Sequence, residues 1–141
     1  MKEVAVGILA REGMILACQR KRDAAYGLKW EFPGGKLEQG ETPDDALRRE
    51  LKEELDIDAV IGDEFYRQEW VYPGGGLPGS DGAFRVYYFL VRSFRGTPVN
   101  RAFERILWTE ADQLGELDFL EGNRDAIAHY AKAVAGRKDP A

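Results

Sequence analysis

Apolar residues fall along this chain in two rhythms. "VAVGILA" (4–10) and "MILACQR" (14–20) are near-continuous aliphatic runs on either side of "REG", which predicts a β-hairpin. "WEF" (30–32) is a short strand that stops at Pro33, and "PGGKLEQGE" (33–41) reads as a glycine-punctuated loop. From residue 43 the period lengthens. Leu47, Leu51 and Leu55 recur every fourth residue and make one buried helical stripe. Thr42 is suited to cap that helix, with Pro43 at its first position and Asp44 and Asp45 in the first turn, where the helix dipole favours acids.

Two runs rich in aromatic and β-branched residues follow, "EFYRQEWVY" (64–72) and "FRVYYFLVRSF" (84–94), both expected as strands. The link between them, "PGGGLPGSDGA" (73–83), is too long for a tight turn and is expected to be a mobile flap near a substrate mouth. "RILW" (105–108) is a further short strand and "TEADQL" (109–114) a capped helical turn. "NRDAIAHYAKAVA" (123–135) reads as a C-terminal helix with Ile127, Tyr130 and Val134 facing in. With no repeat or linker, the pattern predicts an α+β fold: one domain over 1–135, a mixed sheet between helices, and a frayed tail at 136–141.

Composition narrows the function more than the fold. A formal net charge of −5 argues against a nucleic-acid partner, which needs a basic footprint. The one cysteine, Cys18, lies in an apolar run and is expected as a small buried residue with no disulfide. No apolar run approaches the roughly 20 residues of a membrane helix and no signal-peptide pattern opens the chain, so no membrane partner is expected and the location reads as cytoplasmic.

The acids of the first helix carry the chemistry. Glu50, Glu53 and Glu54 stand at i, i+3 and i+4 and share one face, where like charges repel by a few tenths of a kcal/mol per pair. Hard divalent cations such as Mg²⁺ resolve that conflict, taking carboxylate oxygens and filling the other positions with water and phosphate. Arg49 lies four residues before Glu53 and can also reach Glu41, which suits it to hold the carboxylates in orientation. Gly34 and Gly35 let the backbone approach closely, so a carbonyl there can join a metal sphere. An acidic helix face is often no more than a solvated surface; the spacing around this one points further.

"GKLEQGETPDDALRRELKEELDI" (35–57) matches G-x5-E-x7-R-E-U-x-E-E-x-G-U, U being aliphatic, except at Asp56, where glycine is usual. In this it resembles the Nudix hydrolases. Asp56 follows the helix and can take the left-handed C-cap conformation that the glycine serves. "WEFPGGKLE" together with "RRELKEEL" is similar to the MutT-type branch, which hydrolyses nucleoside triphosphates, oxidised guanine nucleotides among them.

The resemblance implies a Nudix α/β/α sandwich and Mg²⁺ as cofactor, with Mn²⁺ able to substitute. It implies Glu50 and Glu54 as principal metal ligands, Glu53 as the next ligand or the base, and the Gly35 carbonyl completing the sphere. It further implies an acid from the loop before the last strand, for which Glu104 is placed. The alternative for Glu104 is an ion pair with Arg101 or Arg105. Arg20 and Lys36 are expected at phosphate; Trp70, Tyr72 or Phe84 could stack on a base. Asn123 is either the N-cap of the last helix or, as MutT-type proteins imply, the reader of a purine edge. His129 reads as a surface or packing residue.

The implied reaction is pyrophosphohydrolysis of a nucleoside triphosphate such as 8-oxo-dGTP, giving a monophosphate and pyrophosphate and sanitising the nucleotide pool. A cytidine triphosphate preference fits the same metal site, and ADP-ribose is the diphosphosugar alternative. A Nudix-fold module that binds a nucleotide without cleaving it commonly loses box carboxylates, and this chain keeps them all. A monomer or weak homodimer is expected.

Overall fold

The computed structural model describes residues 1–72 and 82–135. The expected flap, apart from Gly82 and Ala83, and the expected frayed tail lie outside the described residues. Eight strands, two α-helices and two 3₁₀ turns are described: β1 (Lys2–Ile8), β2 (Ala10–Arg11), β3 (Met14–Gln19), β4 (Trp30–Glu31), β5 (Gly34–Lys36), α1 (Pro43–Leu55), β6 (Asp58–Val71), β7 (Ala83–Arg95), β8 (Arg105–Glu110), the turns Ala111–Glu116 and Glu121–Asn123, and α2 (Arg124–Ala135).

Two sheets organise them. The larger is mixed, in the order β5-β1-β7-β6, with β1 parallel to β7 and the outer pairs antiparallel. The smaller is antiparallel and centred on β3, which pairs with β8 along one edge and with β2 and β4 along the other.

The expected hairpin of residues 4–20 is therefore corrected. Most of its first arm enters the large sheet, and the hairpin is kept only at its end, where Ala10 and Arg11 pair with β3 and the Leu9 carbonyl accepts the Leu16 N–H at 3.1 Å. β1 is apolar on both faces because helices cover both, the pattern of a central parallel strand. Ala5 packs in the core under α1, whereas Val6 and Ile8 join the core under α2. In β7 the alternation is complete: Tyr87, Phe89 and Val91 face α1, and Tyr88 and Leu90 face the other way.

The glycine stretch is also corrected, from loop to strand. Gly34 to Lys36 pair with Val6 to Val4 as β5, the edge strand beneath α1. Gly34 has φ 149°, and a Cβ there would overlap the Ala5 carbonyl.

Helix α1 forms as its sequence requires. Thr42 Oγ1 accepts the Asp45 N–H at 3.3 Å, and Leu47, Leu51 and Leu55 are fully buried. Asp56 closes the helix in the left-handed region at φ 56°, its N–H donating to the Lys52 carbonyl at 3.1 Å. α2 lays Tyr130 into the second core, with Ile127 and Val134 packed partly buried against it. Residues 111–116 form a 3₁₀ turn with no side-chain cap, rather than the capped turn expected there. Cys18 is fully buried. No described helix is long and apolar enough to cross a membrane.

Candidate active site

Where α1 crosses β5, one arginine gathers the acids. Arg49 donates from Nε and Nη2 to the two oxygens of Glu41, both at 2.8 Å, a two-pronged fork. Its Nη1 reaches Glu50 at 2.8 Å and Glu53 at 3.4 Å, and its Nη2 also donates to the Lys36 carbonyl at 3.0 Å. Arg49 thus ties the loop before the helix to the helix itself. Gly35 lies directly against this group, because a Cβ there would run into the Glu50 carboxyl. No residue with a side chain fits while Glu50 keeps its place.

The charges are unevenly balanced. The Arg49 hydrogen bonds, with the Glu38 N–H, hold Glu41 down at about 2. Glu54 is pushed up to about 8, first by burial and then by the charge of Glu50, against one hydrogen bond at 3.2 Å from the Gly34 N–H. Burial also raises Glu50, despite Arg49. The helix face holds more negative charge than its own partners neutralise, and its donors are hard oxygens. That deficit and that donor set fit a divalent cation. Among the described residues no three ligating groups converge on one point, since Glu50 and Glu53 are turned to Arg49 and Glu54 to Gly34.

From Glu54 a cavity of about 260 Å³ runs along the α2 side of the large sheet. Its lining includes Glu54, Gly34, Gly35, Lys36 and Arg20, and also the aromatic residues Trp70, Tyr72, Phe84 and Tyr26 together with Asn123. Arg20 is anchored by Nη1 to Glu31 at 3.0 Å and by Nε to the Ala25 carbonyl at 2.7 Å. Burial raises Glu31 even with that arginine beside it. Tyr72 meets Tyr26 with ring centroids 5.1 Å apart, and Trp70 at 6.2 Å, so part of the wall is aromatic.

Asn123 is buried at 6% exposure, and its side-chain amide has no hydrogen-bond partner among the described residues. It does not open α2 as a separate cap, because it closes a 3₁₀ turn that runs directly into the helix.

Glu104 stands apart from the cavity. Its carboxylate accepts the Arg22 N–H at 3.2 Å and its own N–H bonds the Gln19 carbonyl at 2.8 Å. The alternative ion pair is not formed either: Arg105 bonds Gln19 and Arg101 pairs with Asp56. His129 stacks on Tyr66 at 4.0 Å between centroids.

Three cavity residues were missed in the sequence. Glu31 could have been found as a lone acid between Trp30 and Phe32 beside the glycines, an expensive place for a charge. Tyr26 adopts φ 53° between Ala25 and Gly27, for which the sequence carries no signal. Gln68 is one polar residue in an alternating strand and reads locally as solvent-facing.

A NUDIX domain model matches residues 1–130, and the chain belongs to that family. Within it the likeness is to the MutT-type members, hydrolases of phosphorus-containing acid anhydrides, which generally need a divalent metal. An 8-oxo-dGTP diphosphatase of Haemophilus influenzae is 33% identical over 126 residues, covering 89% of this chain and 88% of that protein. A CTP pyrophosphohydrolase of Escherichia coli is 46% identical over 113 residues, 80% of this chain and 78% of that one. Among solved structures, that of the ORF135 protein of Escherichia coli superposes with a TM-score of 0.83 at 26% identity, covering 99% of this chain and 95% of its own.

Proposed function

We propose that this chain is a Mg²⁺-dependent nucleoside triphosphate pyrophosphohydrolase that converts 8-oxo-dGTP or a related nucleotide to the monophosphate and pyrophosphate. The observation that carries this reading is the cavity itself, whose lining brings together the acid Glu54, the glycines of β5, a set of aromatic rings and Asn123, whose amide bonds none of the described residues. A triphosphate needs the acid and the glycines, and a base the rings and the amide.

Glu50, Glu53, Glu54 and the Gly35 carbonyl would hold the cation, which when bound neutralises phosphate charge and sharpens a water as nucleophile. Arg49 holds Glu50 and Glu53 and is itself anchored by Glu41, so that it would keep these carboxylates in place for a cation. Glu54, whose carboxyl is pushed up to about 8 by burial and by Glu50, would bind a cation only in its deprotonated form. Arg20 and Lys36 flank the phosphates, Arg20 in an orientation fixed by Glu31. Tyr72 stacks on the base and Asn123 hydrogen-bonds its edge. Glu104, which stands apart from the cavity, would have to leave the Arg22 N–H to join the acids.

A cytidine triphosphate preference is the second reading, favoured by the 46% identity to the CTP pyrophosphohydrolase. The expected single domain of 1–135, monomeric or weakly dimeric, acting in the cytoplasm on a free nucleotide without nucleic acid, belongs to the same proposal. Glu53→Gln and Glu54→Gln test it. Each should lower turnover with Mg²⁺ roughly a hundredfold or more, and near wild-type rates in both would sink the assignment.

A further inference from the structure

We propose that Gln68 is a positioning residue that fixes the Asn123 amide by clamping the Gly122 carbonyl, and so sets which base the enzyme prefers. This rests on the reading of Asn123 as the residue that meets the base.

Gln68 lies on β6 with its amide at the wall of the cavity. Its Nε2 donates to the Tyr88 hydroxyl at 3.2 Å and to the Gly122 carbonyl. Its Oε1 accepts the Tyr66 hydroxyl at 3.2 Å. Tyr88, fully inside the core, also donates to the Gly122 carbonyl, at 3.3 Å.

A carbonyl can only accept, so the amide is locked in one sense. Turning it over would set two oxygens face to face. Tyr66 is itself held by the stacked His129, which braces the amide from α2.

The clamped residue has no slack elsewhere. A Cβ on Gly122 would lie 2.6 Å from the Tyr72 hydroxyl and 3.2 Å from the Trp70 ring. Gly122 is therefore pressed between the aromatic wall in front and two donors behind. Asn123 follows it in the same turn, its N–H bonded to the Leu120 carbonyl at 2.9 Å. With its backbone fixed on both sides, the Cα–Cβ bond of Asn123 is aimed in one direction, and its amide bonds none of the described residues. A site that hydrogen-bonds a substrate group discriminates strongly only when that group is held in place.

The test compares kcat/KM for 8-oxo-dGTP, dGTP and CTP in wild type, Gln68→Leu, Asn123→Ala and the double variant. Gln68→Leu keeps the bulk and removes the Gln68 donor, leaving that of Tyr88. The expected result is a fall of about tenfold in the preference between best and worst nucleotide, the size of one hydrogen bond. Turnover of the worst substrate should stay within about twofold, and the double variant should be no less selective than Asn123→Ala alone.

Additive losses would mean that Gln68 contacts the base itself or acts elsewhere, and a uniform fall on all three nucleotides would mean a structural role. Either overturns the proposal. If Asn123→Ala loses selectivity and Gln68→Leu keeps it, the proposal fails while the base reading stands. If Asn123→Ala keeps it, both fail. Should Gln68→Leu not fold, Gln68→Met, which keeps the side-chain length and carries no donor, takes its place, and the same outcomes in that variant support or overturn the clamp.

Discussion

Glu54 should make the metal-free protein less stable as pH rises. Its carboxyl has an ordinary value of 4.5 and is pushed up to about 8 by burial and by the charge of Glu50. The folded chain therefore binds a proton that the unfolded chain has released. The stabilisation is complete below the unfolded value and is lost as pH rises through the folded one. Across the window the slope approaches one proton, or about 1.4 kcal/mol per pH unit. From roughly pH 5.5 to 7.5 that amounts to about 2–3 kcal/mol, or ~5–10 °C in melting temperature for a chain of this length. Glu50, raised by burial, adds in the same direction.

The assay is thermal unfolding in chelator across that range, for wild type and Glu54→Gln, which mimics the protonated acid. The variant should melt with a clearly shallower dependence and lie above wild type at the alkaline end. Saturating Mn²⁺ should flatten the wild-type curve, since the cation binds only the native state and takes the place of the proton. Parallel curves for the two proteins without metal would show that Glu54 is not the group that titrates.

Three other substitutions probe the site and its support. Gly35→Ala would drive a methyl into the Glu50 carboxyl and should lower turnover at least tenfold, with a stability loss of about 1–3 kcal/mol; unchanged kinetics would detach Glu50 from the reaction. Arg49→Lys removes the fork to Glu41 and cannot hold Glu50 and Glu53 together, so Mn²⁺ affinity by titration should weaken at least tenfold. An affinity equal to wild type would show that the acids need no organiser. Leu51→Ala empties a fully buried position under α1 and should cost about 2–5 kcal/mol in denaturant unfolding, with folded-state turnover retained.

What could be read from the sequence was mostly local. The helix that carries the acids was legible to its ends, because Thr42, the leucine stripe and the left-handed Asp56 are short-range devices. The Arg49 contacts with Glu41 and Glu53 were legible for the same reason, as helix geometry sets their spacing. The first hairpin misled because β1 and the run after "REG" look alike locally. Only the distant pairing of β1 with β7 assigns them to different sheets. Gly34 and Gly35 carried no strand signal, since glycine has low strand preference and the pairing with β1 is imposed by packing. The base end was the least visible. Asn123 could be placed, but the clamp through Gln68, Tyr88 and Gly122 joins residues up to 54 positions apart. Glu104 was placed by its sequence neighbourhood, and its backbone contacts with the loop after β3 hold it elsewhere.

Whether this cavity cleaves a nucleoside triphosphate to release pyrophosphate is tested most directly by a product-resolved assay. The purified protein is incubated with Mg²⁺ and 8-oxo-dGTP, CTP or ADP-ribose, with Glu54→Gln run beside it. The predicted result is a nucleoside monophosphate and pyrophosphate from one or both triphosphates, lost in the variant. Turnover of ADP-ribose alone, release of orthophosphate with a nucleoside diphosphate, or tight nucleotide binding without any product would contradict it.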